Sequence, residues 1–342
     1  MTDFQIVSGF EDVWRPPARS RVVRPSAVLR PAQSHSDTVR ARLGRIVARA
    51  PEVMVKVTGR TRDPGHLRAH LDYISRNGEL ALESADGALV IGRREVADLA
   101  DAWANVALAD SRRRANSPIS LSVVLSMPAG TNEIALRDAA RAFAADMFAG
   151  RHDYVFTLHT DTPRPHVHLS VCSRGYSGER LNPKKAELEL WRQTFAQALR
   201  DRGVEAEATP RRARGVTRKA ERGPLRRMRE RFEAGSAELP RTRREAYREA
   251  AKAAFQGQVA PTSWETRLLE RQQAIRGLYL AQAKLLQRST NPSDRALGAK
   301  TEAFVRSMPR PDTQRLALAR ELRAVGRELG RGRDDGGKDR RR

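Results

Sequence analysis

Three of the chain's seven histidines, His159, His166 and His168, fall within ten residues. The segments DYVFTLH and HVHLSVCS read as two strands joined by TDTPRP, which sets His159 opposite His166. Period-two alternation then puts Thr157, His159, His166, His168, Ser170 and Cys172 on one face and Tyr154, Phe156, Leu158, Val167, Leu169 and Val171 on the other. Opposed residues on paired strands have Cβ atoms about 5 Å apart and diagonal ones about 7–8 Å. Three imidazoles so placed can converge on one cation and leave positions open for substrate oxygens. Unrelated surface histidines are the alternative for any one of them, but the pattern H-x6-H-x-H on a non-core face favours a ligand set. Asp161, in the connecting turn, either orients an imidazole through its second nitrogen or serves only as a turn former.

Tyr73 is the second residue of chemical interest. In HLRAHLDYISRNG, Leu67, Leu71 and Ile74 recur at helical spacing and form a core stripe. Tyr73 lies about a third of a turn off that stripe and shares a flank with His66 and His70. It is either available for nucleophilic chemistry or an amphipathic residue at a core edge. A free phenol has a pKa of about 10, so attack as a phenolate needs a nearby base or positive field; Asp161 and His70 are the candidates by location. A zinc site on His66 and His70 lacks the glutamate of an HExxH motif.

These residues need elements to hold them. EVMVKVTG reads as a strand. PGHLRAHLDYI reads as a helix with Pro64 in its first turn and Asn77-Gly78 as its stop. ELALESADGALV is a short hairpin or loop, REVADLADAWANVALA an amphipathic helix and ISLSVVLSM a buried strand. PAGT opens a helix running to about Phe148, and KKAELELWRQTFAQALRDRG is a helix closed by Gly203. Intermixed strands and helices over about 52–210 imply an α/β (α+β) sandwich.

Lys and Arg number 64 against 41 Asp and Glu, a net charge of +23. Such a surplus repels itself unless a polyanion is near. Nucleic acid is the natural partner, because each neutralised phosphate releases condensed counterions; a basic protein that adheres to anionic surfaces is the bland alternative. A single cysteine, Cys172, excludes an internal disulfide and a CxxC metal site, which fits a reducing cytoplasm. MTDFQIVSGFEDVW lacks the pattern of a signal peptide, and no apolar run is long enough for a membrane span.

Composition divides the chain into a basic, disordered arm over 1–50, a folded domain over 51–215, a basic helical extension over 216–330 and a charged, disordered tail over 331–342. A short helix is expected near Val39–Ala48. Arg211, Arg212 and Arg214, with His70 and Arg76 beside Tyr73, are the basic residues expected to meet a nucleic-acid strand; a solvated linker is the alternative for the arginine triplet. The PAGT turn either binds a phosphate through backbone N–H groups or is an ordinary connection.

Together these features resemble a known family. LHTDTPRPHVHLSV is similar to the histidine signature of the HUH-type relaxases, the mobilisation nucleases of conjugative plasmids and integrative elements. The likeness falls in the branch that includes the T-DNA border endonuclease. LDYISRNGELAL resembles that branch's tyrosine segment, SMPAGT with its helix ending in MF resembles a second motif, and LNPKK and ATPRRARG resemble the segment after the histidines. The resemblance covers roughly Val53–Gly215. It implies a largely antiparallel central sheet flanked by helices. It implies a site- and strand-specific DNA endonuclease with Tyr73 as nucleophile, Asp161 as accompanying acid, and Mg²⁺ or Mn²⁺ held by His159, His166 and His168. It implies single-stranded transfer-origin DNA as substrate rather than a small molecule. Accessory DNA-binding proteins and a type IV coupling protein are the implied partners, in a cytoplasmic protein that can travel with its DNA. Relatives often carry Asn where this chain has Cys172. A replication initiator of the same chemical class is the alternative, although initiators place the tyrosine after the histidines; a non-catalytic origin-binding protein is another.

Overall fold

The computed structural model describes residues 4–14, 35–218, 221, 223–255 and 261–335. They divide into two units, one of residues 15–209 and one of residues 1–14 with 210–342. The first is built on a sheet and the second on helices.

The sheet unit runs α1 (His35–Val47), β1 (Met54–Thr61), α2 (Pro64–Ile74), β2 (Leu82–Ser84), β3 (Leu89–Val90), α3 (Arg93–Leu108), β4 (Ser120–Ser126), α4 (Glu133–Phe148), β5 (Tyr154–His159), β6 (His166–Cys172) and α5 (Lys185–Arg200). The strand order is β1-β4-β6-β5-β2-β3, and every paired neighbour is antiparallel. The expected α/β (α+β) architecture, an antiparallel sheet flanked by helices, is therefore present. β4 is buried at all seven positions because helices cover both faces of the sheet's centre.

On one face Phe156, Val167, Leu169 and Val171 pack against Phe143 and Phe148 of α4 and Trp191, Phe195 and Leu199 of α5. The face that carries the histidines is not bare. Val155 and Cys172 alternate onto it and are buried under Leu67, Leu71 and Ile74 of α2 and Val96, Ala100 and Trp103 of α3. It is a second core at one end and open only towards the histidines.

α2 starts where Asp63 accepts a hydrogen bond from the His66 amide at 2.8 Å, with Pro64 in the first turn. It stops at Ser75, and Arg76, Asn77 and Gly78 all take positive φ (53°, 57° and 89°). α4 begins at Glu133, beyond PAGT, where the Asn132 carboxamide accepts from the Ala135 amide.

The helical unit contains 3-10 turns at Phe10–Val13 and Arg211–Arg214, then α6 (Gly223–Glu233), α7 (Arg241–Phe255), α8 (Ser263–Gln287), α9 (Pro292–Arg306) and α10 (Gln314–Asp335). Phe10 and Phe304 pack edge-on against the fully buried Tyr279 with ring centroids 5.5 Å away, and Trp14 packs on Phe10 at 5.0 Å. α8 and α9 approach closely enough that a Cβ on Gly298 would lie 2.8 Å from the Ala283 carbonyl. The start of α8 is fastened by fully buried Glu265, which accepts from the Thr262 amide and the Thr313 hydroxyl and pairs with Arg315. Burial alone would raise this carboxyl; Arg315, Thr313 and the Thr262 amide outweigh it and hold the pKa at about 2.

Three sequence expectations change. The arm over 1–50 is not uniformly unstructured: Phe10, Val13 and Trp14 are buried in the helical unit, and α1 buries Val39, Leu43 and Ile46 while Arg45 pairs with Glu207 at 2.8 Å. The short helix expected near Val39–Ala48 is α1, whereas the low average apolar content concealed the Phe10, Val13 and Trp14 group; residues 15–34 lie outside the described residues. The division between units falls after Thr209, so Arg211, Arg212 and Arg214 belong to the helical unit. α10 continues to Asp335, past the expected start of the tail, and 336–342 lie outside the described residues. Among the described residues no helix is long and apolar enough to cross a membrane.

Two stability predictions follow from the cores. Phe143 is fully buried and edge-packed on Phe148, Trp191 and Phe195. Phe143→Ala should cost about 3–5 kcal/mol, read as a lower urea midpoint by tryptophan emission. The depressed Glu265 pKa stabilises the fold fully above its ordinary value of 4.5, and that contribution is lost as pH falls towards 2. Glu265→Gln should lower the neutral-pH melting temperature and flatten this part of the acid titration followed by circular dichroism.

Candidate active site

The β5–β6 register pairs His159 with His166 and Thr157 with His168, as alternation predicted. The imidazole centroids lie 4.5 Å (His159–His168), 5.0 Å (His166–His168) and 5.3 Å (His159–His166) apart. One donor nitrogen from each lies within 4.8 Å of the others, so the trio could hold a metal ion.

Backbone carbonyls decide which nitrogens are available. His159 Nε2 is 2.8 Å from the Ile74 carbonyl oxygen, which can only accept, so Nε2 carries the proton and Nδ1 presents its lone pair. His166 Nδ1 is bonded to the Arg164 carbonyl at 3.1 Å, which leaves Nε2 as its lone-pair donor. Such outer hydrogen bonds are how proteins fix the tautomer and aim of a metal-binding imidazole. Burial lowers the pKa of His159, and burial with the neighbouring histidines pushes His168 down to about 3. Both rings are thus neutral near pH 7, the form that binds metal.

Tyr73 sits in the last turn of α2, 67% exposed, beside the buried stripe of Leu67, Leu71 and Ile74. Its ring meets that of His168 edge-on, with centroids 5.8 Å apart and planes at 87°. The tyrosine and the histidines, separated by more than eighty residues in sequence, therefore occupy one site. The Ile74 carbonyl, one residue after Tyr73, is the acceptor for His159.

Asp161 is not hydrogen-bonded to an imidazole. Its carboxylate accepts from Arg76 Nη2 at 2.6 Å, and that bond, against the opposing effect of burial, lowers its pKa. His70 turns onto the sheet, with Nε2 2.9 Å from Ser122 Oγ of β4, and burial followed by the charge of His66 lowers its pKa to about 4. Cys172 is four residues along β6 from His168, about 13 Å of strand. It is buried in the α2–α3 core, and burial raises its thiol to about 11. Arg211, Arg212 and Arg214 lie in the helical unit, where Arg211 donates to the Arg218 carbonyl at 2.8 Å and the Arg212 carbonyl accepts from Gln272 at 3.0 Å.

One residue near the site went unnoticed in the sequence. Val124 pairs with His168 and Lys56 pairs with Val124, so exposed Lys56 shares the imidazole face two strands away, roughly 10 Å at ordinary strand spacing. Alternation in MVKVTG already points it off the core, but its neighbour is visible only once β4 lies between β1 and β6.

Residues 73–204 match the family described as the nuclease domain of MobA/VirD2-like relaxases. Among characterised proteins, the T-DNA border endonuclease VirD2 of Rhizobium radiobacter is 27% identical over 185 residues, covering 48% of this chain and 43% of that protein. The VirD2 proteins of Agrobacterium fabrum strain C58 and Rhizobium rhizogenes are 26% and 25% identical, and the match covers 41% and 42% of their lengths. The chain thus spans about two-fifths of these relatives. The resemblance to relaxases seen in the sequence holds over the segment that carries Tyr73 and the histidine hairpin.

The turn after Tyr73 is clamped at Gly78: a Cβ there would lie 2.4 Å from the Gly92 carbonyl carbon and 2.5 Å from the Arg93 nitrogen, at the start of α3. Gly78→Ala should cost at least about 1–2 kcal/mol from the left-handed conformation alone, with the backbone clash added. Thermal unfolding should show it, and Arg76 should lose its fixed pairing with Asp161, seen by NMR as an Asp161 titration moved to higher pH.

Proposed function

We propose that this protein is a DNA relaxase that nicks one strand by tyrosine transesterification. The observation that carries the reading is the edge-on contact of exposed Tyr73 with His168, inside a trio of imidazoles with converging donor nitrogens. The match of residues 73–204 to a relaxase nuclease domain adds to it.

In this reading the Tyr73 hydroxyl gives up its proton to solvent water and its oxygen attacks the scissile phosphorus. A bond forms between that oxygen and phosphorus, and the bond from phosphorus to the 3′ oxygen breaks. The leaving 3′ oxygen takes a proton, which yields a 5′-phosphotyrosyl protein and a free 3′-OH. The phosphodiester's energy is kept in the new bond, so the reverse step reseals the strand without a nucleotide cofactor. His159, His166 and His168 would hold a divalent ion, whose chemistry is to neutralise charge on a non-bridging phosphate oxygen. Three imidazoles with no carboxylate suit Mn²⁺ better than Mg²⁺, which prefers oxygen donors. Asp161 pairs with Arg76, three residues after the nucleophile, instead of acting on an imidazole, and in this reading the Arg76 guanidinium takes a flanking phosphate. Lys56 adds a positive charge on the same face. His70, bonded to Ser122, props α2 on the sheet.

The wider setting is part of the same proposal. It comprises a transfer origin as the site of action, a cytoplasmic location, accessory DNA-binding proteins and a type IV coupling protein. Likeness to T-DNA border endonucleases over part of their length supports it.

Single-stranded DNA carrying the cognate origin, incubated with the protein and Mn²⁺, should give an adduct that survives denaturing electrophoresis. Tyr73→Phe should reduce adduct formation by roughly 10³-fold or more. His166→Ala and His168→Ala should weaken Mn²⁺ binding, by calorimetry, beyond the roughly 10–100-fold typical of losing an outer hydrogen-bond partner. An undiminished adduct in Tyr73→Phe would sink the nucleophile assignment.

A further inference from the structure

The helical unit contains a cavity of about 320 Å³ at the start of α8, lined by Trp264, Arg267, Leu268, Arg271, Gln272 and Arg212, among others. On α8, Trp264, Arg267 and Arg271 recur at i, i+3 and i+7 and so share one helix face. Trp264 is 53% exposed, although tryptophan is a costly side chain to leave in water, and the chain's other three tryptophans, Trp14, Trp103 and Trp191, are each at most 5% exposed. Arg267 and Arg271 are exposed and make no ion pair among the described residues. That sets them apart in a unit whose arginines are often matched, as Arg229 and Arg243 are by Glu221. At the cavity wall Gln272 is 2% exposed. Its amide nitrogen donates to the Arg212 carbonyl, and its Oε1 has no hydrogen-bond partner.

We propose that this cavity is a second single-stranded DNA site: a base stacks on Trp264, and Arg267 and Arg271 take the neighbouring phosphates. An aromatic platform beside unpaired arginines is the combination by which proteins hold single strands. An acidic polypeptide would use the arginines and leave the exposed indole unexplained. The volume is at the small end of ligand pockets and suits one stacked base better than a folded partner. The choice of DNA rests on the proposed nicking function, but the site does not depend on Tyr73 or the histidines.

Because Trp264 is the exposed indole, tryptophan emission reports on this site. The full-length protein, in EDTA so that no cleavage occurs, is titrated with a mixed-sequence 30-nucleotide single strand. Anisotropy of a labelled copy is followed in parallel. Emission should be quenched with the same midpoint as the anisotropy change, and poly-glutamate should not quench. Trp264→Ala should weaken binding roughly 5- to 160-fold if stacking here is typical. Arg267→Gln with Arg271→Gln, which leaves the fluorophore in place, should shift the quench to higher DNA concentration. It should also reduce the slope of log affinity against log salt by about 1.4, about 0.7 per lost phosphate contact. Binding by anisotropy with unchanged emission overturns this site and leaves the nicking proposal standing. Equal quenching by poly-glutamate overturns the choice of DNA in favour of an acidic protein partner. Quenching by DNA, with no covalent adduct when a strand carrying the cognate origin and Mn²⁺ are supplied, sinks the nicking proposal and keeps the site.

Discussion

The chemistry of the sheet unit depends on one register, His159 facing His166 across β5 and β6. Side chains on a strand alternate, so a slip of β6 by one residue would turn His166 and His168 away from His159 into the core under α4 and α5 and bring Val167 and Leu169 to the open face. The packing of Phe156, Val167, Leu169 and Val171 against α4 and α5 opposes that slip, because burying imidazoles there would strand their ring nitrogens without partners. The ladder between β4 and β6 fixes the same alignment from the other side. The hydrophobic core and the histidine cluster are two faces of one constraint.

Much of this was legible in the sequence, where period and turn chemistry are local. The hairpin, the start of α2 at Pro64 and its end before Gly78, and the exposure of Tyr73 all follow from spacing within a dozen residues. What the sequence did not reveal required contacts between distant segments. Asp161 could be placed in a turn, but its partner Arg76 is 85 residues away and is aimed by a left-handed backbone at Arg76 and Asn77. His70 shares a flank with Tyr73 by helical spacing, yet it faces Ser122 because α2 lies across β4. The two faces of the hairpin could be listed correctly, but not that α2 and α3 would bury half of the second one. The N-terminal segment misled for another reason: an average over fifty residues hides Phe10 and Trp14, which are few but well spaced.

Net charge gives an incomplete account of the basic surface. A surplus of 23 positive charges suggests a diffuse coat. In the helical unit, however, acids are spent on particular arginines, with Glu221 between Arg229 and Arg243 and Glu265 against Arg315. Isolated exposed ion pairs add little to stability. Their effect here is to withdraw certain guanidiniums from binding and leave others, such as Arg267 and Arg271, uncompensated. Where the acids are missing is therefore more informative than how many bases there are.

The bond from His159 to the Ile74 carbonyl joins the end of α2 to the imidazole trio. Any ion held by those imidazoles is then thermodynamically linked to the conformation of the turn that carries Tyr73. Linkage is reciprocal: if ion binding steadies the end of α2, then whatever steadies that end must raise ion affinity by the same factor. A strand attached to Tyr73 and an ion at the histidines would thus act as mutual effectors through a single main-chain oxygen, with no moving domain required.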